Sequence, residues 1–322
     1  MVTSWAAIRQ GFALARRVRS AVWVLFLGNL GLAALAAFPI YQGIVDFTGH
    51  SLMAETLTTG FSVNWFTDFA VNNPGAFVRY AEVIELLGLI TLPVNAILAA
   101  GVLARFRNPR EPFSMGLFFR DCGRYAWRMI RLMVIALFCY WVVFRFVNGE
   151  FNKMVSRSTR YWMDDRAAFF AHLGVGLLVL LALALVNLVI DFARVRLVRI
   201  EGAGVLESFL ASLGFSVGRF PKAALVYAVP SLGGIALLGV YRLVVPWHII
   251  HTAIGNPTQD PYRAPLVIAL LFIGQQLIMF GRYWFRVATW GGEWALYSGS
   301  LASAPASAAE SNSGPQAGSQ PS

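Results

Sequence analysis

The chain has 322 residues, of which 57% are hydrophobic and 13% are charged, and its formal net charge at pH 7 is +10. Soluble globular proteins carry about 25% charged residues, so this composition excludes an ordinary water-soluble core. The apolar residues stand in long runs rather than in alternating or heptad patterns. This arrangement indicates that lipid solvates the runs.

Six apolar runs are long enough for helices that cross the hydrocarbon core of a bilayer, which takes about 20 residues. In chain order they are Ala21 to Tyr41, Ala81 to Ala104, Met129 to Val147, Phe169 to Ile190, Ala223 to Tyr241 and Pro265 to Gly281. The pattern predicts an all-α fold, a polytopic transmembrane helical bundle of six spans. Because amphipathic segments precede several runs, we also expect amphipathic interfacial helices on the cytoplasmic side.

Residues 1-20 are predicted to form an amphipathic cytoplasmic helix, in which Trp5, Ile8 and Phe12 recur at helical spacing opposite Arg9 and Arg16. The run that follows has the basic flank and small residues of a cleavable signal peptide, which is one interpretation. Its length exceeds the usual apolar stretch of about 7 to 15 residues, which favours a retained first span.

Residues 21-300 are predicted to form the six-helix transmembrane domain. Three copies of an amphipathic helix, an outward span, a loop and an inward span describe this stretch, which suggests a threefold hairpin repeat. Any helical hairpin with basic inner ends gives a similar pattern, so chance similarity stays as the alternative. Residues 301-322 are rich in Ser, Ala, Gly and Pro and are predicted to be a disordered cytoplasmic tail.

The positions of the basic residues predict the orientation of the bundle. If the N-terminus is inside, 18 of the 26 basic residues fall on the cytoplasmic side, as the positive-inside rule requires. The prediction is therefore a multi-pass protein of a bacterial inner membrane, with both termini in the cytoplasm. Because the arginines cluster at the ends of apolar runs, we expect the lipid bilayer, and no nucleic acid, as a partner.

One basic segment is a candidate binding surface for lipid headgroups. Arg120, Arg124, Arg128 and Arg131 form a continuous stripe on a predicted helix. Anionic lipids on the cytoplasmic face are the natural partner of such a stripe, although the arginines would also serve topology alone. A membrane-protein partner for the bundle is a further expectation.

Polar residues inside the apolar runs are the other candidates. Asn95, Asn187, Gln275 and Gln276 are intramembrane positions that either form hydrogen bonds between helices or line a polar path. Asp191 stands three residues before Arg194, so we expect an ion pair between them within one helix.

The sequence contains no recognisable catalytic, cofactor or metal signature, and we expect no catalytic residues, no cofactor and no bound metal. The four histidines, His50, His172, His248 and His251, all fall on the outer side, where a periplasmic metal site is the alternative to a solvated role. Cys122 and Cys139 stand outside any metal or redox motif.

The stretch Asp191-Phe192-Ala193-Arg194, the stretch from Gln275-Gln276 to Arg282 and the six-span layout resemble uncharacterised bacterial membrane families. One of these is the six-helix membrane domain joined to some glycerophosphodiester phosphodiesterases. The resemblance implies a membrane bundle, and it implies no hydrolase activity because the soluble catalytic domain is missing from this chain.

Three functions remain open at the level of sequence. The first is a non-enzymatic membrane bundle that binds lipid or a protein partner, and we favour it because catalytic groups are lacking. The second is a transporter or channel subunit with a polar path between helices. The third is a membrane enzyme that uses the outer His and Asp residues.

Overall fold

The computed structural model describes residues 3–49, 63–73, 75–109, 111–160, 165–245 and 263–302. These residues are almost entirely helical, and no β-strand occurs among them. The all-α prediction is confirmed. The predicted tail lies outside the described residues except for Leu301 and Ala302, which end the last helix.

The described ranges contain ten α-helices. In chain order they are α1 Ser4–Arg17, α2 Arg19–Thr48, α3 Val63–Asn72, α4 Ala76–Arg105, α5 Met115–Val142, α6 Gly149–Thr159, α7 Asp165–Arg199, α8 Val205–Gly218, α9 Phe220–Val244 and α10 Arg263–Ala302. A π-helical turn, Val143–Asn148, joins α5 to α6 without a break.

Six helical segments of the described chain are long and apolar enough to cross a membrane. They are α2, α4, the continuous α5–α6 segment, α7, α9 and α10, and each contains one of the six apolar runs. Pro39, Pro93 and Pro230 lie inside three of these helices, and membrane helices tolerate proline in such positions. The six-span architecture is that of an integral membrane protein.

Two of the helices extend well beyond the thickness of a bilayer core. α7 has 35 residues and α10 has 40, which gives lengths of about 52 Å and about 60 Å at about 1.5 Å per residue. A hydrocarbon core is about 30 Å thick. Both helices therefore have a segment whose surroundings are protein rather than lipid, and the largest core of the molecule lies there.

We call the two ends of the bundle the packed end and the open end. The packed end contains α1, α8, the N-terminal halves of α2, α5 and α9, and the C-terminal halves of α4, α7 and α10, where most buried residues lie. At the open end large apolar side chains such as Leu35, Phe38, Leu89 and Leu243 are exposed. An apolar surface of this extent matches lipid contact rather than water contact.

Five helices form a ring in which each member contacts the next. The ring runs from α2 to α4, α5, α7, α10 and back to α2, while α9 packs on the outside of α10. Helix α4 also contacts α7 and α10, and all five helices contribute residues to one cavity between them.

Helix α1 packs closely against the C-terminal half of α10. Thr3 caps the start of the helix, because its hydroxyl accepts a hydrogen bond from the Ala6 amide at 3.3 Å. Ala7, Ile8 and Ala15 are buried, whereas Trp5, one turn before Ile8 on the predicted apolar face, is exposed. A Cβ atom at Gly11 would lie only 2.6 Å from the Gly292 backbone nitrogen, so glycine is what allows the two helices to approach. The apolar face of α1 is thus covered by α10.

Candidate functional site

A buried carboxylate connects α7 to α10 at the packed end. Asp191 has no exposed surface, and its Oδ1 accepts hydrogen bonds from Arg194 at 2.8 Å, Arg286 at 3.0 Å and the Trp290 indole at 3.3 Å. The Arg286 Nη2 atom also lies 2.9 Å from Oδ2, although only the contact with Oδ1 has hydrogen-bond geometry. The expected pair of Asp191 and Arg194 is present, and Arg286 joins it from a helix far along the chain.

A second buried carboxylate, that of Glu293, stands one turn after Trp290 on α10. Glu293 is fully buried, and neither of its carboxylate oxygens has a hydrogen-bond partner in the described part of the chain. Its electrostatic neighbours are Asp191, Arg194 and Arg286. We call Asp191, Arg194, Arg286, Trp290 and Glu293 the Asp191 network. Burying a charge is costly unless an opposite charge is beside it, so buried Asp191 depends on the two arginines of this network.

The Asp191 network borders a cavity inside the five-helix ring, which we call the central cavity. Its volume is about 370 Å³, within the range of about 300 to 1,000 Å³ that is usual for ligand sites. The polar residues that line it are Asn29, Thr91, Asn95, Tyr140, Tyr283, Arg194, Arg286 and Trp290. The apolar residues that line it are Leu25, Leu92, Ala96, Met133, Ala136 and Leu137. Two arginines therefore border a cavity whose walls are partly polar and partly apolar.

A second cavity of about 380 Å³ adjoins the central cavity toward the open end. We call it the open-end cavity. The two share Asn29, Thr91 and Tyr283 as lining residues. Gln275 and Gln276 line only the open-end cavity of these two. Polar side chains thus extend from the arginines into the outer half of the bundle.

The four predicted intramembrane positions fall into three settings. Asn95 pairs with Asn29 through two reciprocal amide hydrogen bonds of 2.8 Å between α2 and α4. Asn187 accepts a hydrogen bond of 2.7 Å from the Tyr140 hydroxyl. Gln275 and Gln276 line the open-end cavity. The structure brings Asn95 and the two glutamines to adjoining cavities, and it places Asn187 behind Tyr140, outside both lists of lining residues.

The predicted basic stripe lies on α5 at the packed end. Arg120, Arg124 and Arg131 are exposed, Arg128 is half-buried, and the opposite face of α5 is buried against α4. The Arg131 guanidinium lies 5.7 Å from the ring centroid of the exposed Trp127. Further along the same face the exposed side chains are apolar, as at Val134 and Phe138. The basic stripe is thus next to an exposed apolar surface that is suited to contact with lipid.

A loop carboxylate holds part of the stripe in place. Glu201, in the turn between α7 and α8, accepts a hydrogen bond of 2.7 Å from Arg107 and forms an ion pair of 3.3 Å with Arg124. The Arg107 hydrogen bond, with the charge of Arg124, lowers the pKa of the Glu201 carboxyl. The next residue, Gly202, has φ +88°, which explains glycine at this turn.

Helix α8 shows its polar face to the protein and its apolar face to the outside. Ser208, Ser212 and Ser216 are buried, whereas Leu206 and Leu210 are exposed. In a water-soluble protein, the apolar face of a surface helix packs against the core and its polar face is exposed to water. The apolar face of α8 is therefore available to lipid.

No group of three or more potential metal ligands occurs among the described residues. His172 lies 3.1 Å from the Asn152 side-chain oxygen. His50, His248 and His251 lie outside the described residues.

The sequence alone did not predict Glu293, Trp290 or the role of Arg286 in the Asp191 network. One feature of the sequence could have pointed to Glu293, because it is an acidic residue in the otherwise uncharged stretch Val287 to Ser300. An acid in such surroundings is expected to have a buried partner.

Comparison with protein-family models, curated proteins and solved structures gives no match for this chain. The resemblance to the membrane domain joined to glycerophosphodiester phosphodiesterases stays a prediction that rests on layout. The six apolar helices support the broader statement that the chain is a helical membrane protein.

Proposed function

We propose that this protein is a non-enzymatic, multi-pass bundle of a bacterial inner membrane that binds anionic lipid at the cytoplasmic surface. In this proposal the packed end and both termini face the cytoplasm. The positive-inside distribution of 18 of the 26 basic residues supports the orientation.

The observation that carries the proposal is the surface of α5. Exposed arginines at Arg120, Arg124 and Arg131 give way to exposed apolar side chains along one helix face, with Trp127 at the transition. Tryptophan is enriched at the headgroup level of membranes, and basic side chains beside it attract anionic lipid. The exposed leucines of α8 extend this surface.

The test replaces the basic stripe with neutral residues of similar size. The triple variant Arg120→Gln, Arg124→Gln and Arg128→Gln loses about 1 kcal/mol of attraction to anionic lipid for each arginine near the surface. We expect purified variant protein to retain fewer phosphatidylglycerol molecules in native mass spectrometry, and added salt to narrow the difference.

The matched control carries the same change of charge at the open end. Arg79, Arg157 and Arg242 are exposed there and are replaced by Gln together. The proposal requires this control to retain phosphatidylglycerol like the wild type. Equal retention by both triple variants contradicts lipid binding at the basic stripe.

A transporter or channel subunit is the second candidate, and the adjoining cavities favour it. Asn95 and Gln276 line them, whereas Asn187 does not. Replacing Asn95 and Gln276 by Leu is expected to lower the flux of a transported solute through proteoliposomes, and Asn187→Leu serves as the control. Unchanged flux of every tested solute in the double variant rejects the path.

A further inference from the structure

We infer that the central cavity binds a single anionic amphiphile, with its oxyanion at Arg194 and Arg286 and its apolar chain directed toward the open end. This site lies inside the five-helix ring and is separate from the basic stripe on the surface of α5. Binding in this cavity can therefore be tested independently of the lipid contact proposed for the basic stripe.

The charges that reach the cavity are positive. Arg194 and Arg286 both line it, while neither Asp191 nor Glu293 is among the described residues that do so. Asp191 offsets part of the positive charge of the two guanidiniums. Its ion pairs of 2.8 Å with Arg194 and 2.9 Å with Arg286 hold both groups in place. An oxyanion in the cavity would thus meet guanidinium groups that are already held in position, which lowers the entropic cost of binding.

Both guanidiniums have hydrogen-bond donors to spare. A guanidinium carries five N–H donors. The hydrogen bonds to Asp191 use one nitrogen of each arginine, and Arg286 also forms a side-chain hydrogen bond with Tyr227. The Arg194 and Arg286 side chains are 19% and 32% exposed. Both line the central cavity, and Arg286 also lines a cavity between α9 and α10. Phosphate and carboxylate oxygens are the acceptors that match arginine best.

The neutral polar groups of the cavity favour a headgroup that also carries hydroxyls. The Asn29 and Asn95 amides donate to each other and to the carbonyls of Leu25 and Thr91, so their N–H groups are in use. Their side-chain oxygens each retain a free lone pair. The Tyr140 hydroxyl donates to Asn187, which leaves its oxygen as an acceptor as well. This set of acceptors fits ligand hydroxyl groups.

The remaining wall fits an apolar chain. Leu92, Met133 and Leu137 line the central cavity, and Leu30, Ile84 and Leu87 line the adjoining open-end cavity. Burial of methylene groups against such walls stabilises a bound chain. The occupant is thus an amphiphile with an oxyanion close to hydroxyls, the chemistry of a polyol phosphate on a lipid chain.

Three probes of matched chain length separate the parts of this assignment. Phosphatidylglycerol has an oxyanion and hydroxyls, phosphatidylmethanol has the oxyanion alone, and diacylglycerol has a hydroxyl alone. We expect native mass spectrometry of the full chain to show one retained lipid, with phosphatidylglycerol preferred about tenfold over diacylglycerol. Equal retention of phosphatidylglycerol and phosphatidylmethanol overturns the hydroxyl contacts, and equal retention of all three overturns the site.

The matched variants place a phenylalanine inside or outside the cavity. Ala136→Phe fills the central cavity without changing charge, whereas Val134→Phe adds the ring to the exposed face of α5 two residues away. Loss of the single tightly held lipid in Ala136→Phe alone supports the site. Retention in both variants overturns it. If Ala136→Phe does not fold, Leu137→Trp at the cavity wall is used instead.

The outcome is distinguishable from failure of the surface contact. The triple Gln variant of the basic stripe is expected to lose several salt-sensitive lipids and to keep the single cavity lipid. A cavity lipid that disappears with the stripe variant, and persists in Ala136→Phe, contradicts an internal site.

Discussion

Asp191 is a buried carboxylate whose stability depends on donors from two helices. It accepts hydrogen bonds from Arg194 on its own helix and from Arg286 and Trp290 on α10. Burying a carboxylate or a guanidinium costs several kcal/mol unless the opposite charge is beside it. The residue therefore fixes the contact between α7 and α10.

Replacing Asp191 by Ala is expected to destabilise the bundle strongly, because Arg194 and Arg286 would lose their shared partner. We expect a loss of about 3 kcal/mol, the lower end of the range for breaking a buried pair, since both guanidiniums are partly exposed. Unfolding in mixed micelles with increasing dodecyl sulfate measures it. Glu82→Ala, at an exposed acid on α4, is the control. Equal stability of the two variants contradicts this role for Asp191.

Glu201 gives the turn between α7 and α8 a dependence on pH. Its pKa is lowered in the folded protein, chiefly by the hydrogen bond from Arg107. Its stabilising contribution is therefore complete above the unfolded carboxyl pKa of about 4.3 and is lost as the pH falls through the lower folded value.

The test compares the thermal unfolding temperatures of the wild type and Glu201→Gln from neutral pH down to below the unfolded carboxyl pKa of about 4.3. We expect the wild type to be the more stable at neutral pH, and the difference to shrink as the carboxylate is protonated. Because Glu201 is exposed, the difference will be small. A gap between the two proteins that grows on acidification would show that the Arg107 contact is not stabilising.

At the scale of elements, the contact between α1 and α10 depends on small residues. Gly11 faces Gly291 and Gly292, and added side-chain atoms there would meet backbone atoms, which cannot move aside easily. The N-terminal helix is thereby part of the protein core and not only a basic segment on a membrane surface.

Gly11→Leu is expected to separate α1 from α10 at a cost of about 1 to 3 kcal/mol, the usual range for overpacking. Amide hydrogen exchange of residues 4–17 should become faster. Gly31→Leu on α2, where nothing lies within 4 Å of the added Cβ, is the matched control. Unchanged exchange in Gly11→Leu contradicts the close packing.

The six membrane-crossing helices could be predicted from the sequence, because they lie where the chain is apolar enough for lipid to surround it. Each apolar run became part of a long helix, because a helix in hydrocarbon must be apolar along its whole length. The prediction ended the last run at Gly281, whereas α10 continues to Ala302. Beyond Gly281 the helix is covered by α1, α9 and the ring, so arginines and Glu293 occur without ending it.

The site was less predictable, since it depends on contacts between distant residues. Asn95 was recognised as a polar intramembrane residue, but its partner Asn29 is 66 positions away. The carboxylate partner of Arg286 is 95 positions earlier in the chain. No local pattern encodes such pairs, and the central cavity exists only once five helices form a ring.

At the scale of the whole molecule, two unequal ends define the protein. The packed end has the main hydrophobic core, the Asp191 network and most of the arginines, whereas the open end presents apolar side chains to its surroundings. The proposed threefold repeat stays a prediction. The ring closes through contacts of the first span, α2, with the last, α10, so the arrangement is more than three independent hairpins.

We propose that six helices cross the membrane with the packed end in the cytoplasm, and the accessibility of single cysteines tests this orientation. In a background with Cys122→Ala and Cys139→Ala, the variant Arg120→Cys reports on the packed end and Asn72→Cys on the open end. A membrane-impermeant thiol reagent is applied to spheroplasts before and after lysis. We expect Asn72→Cys to be labelled in intact spheroplasts and Arg120→Cys to be labelled only after lysis. Labelling of Arg120→Cys in intact spheroplasts would contradict it.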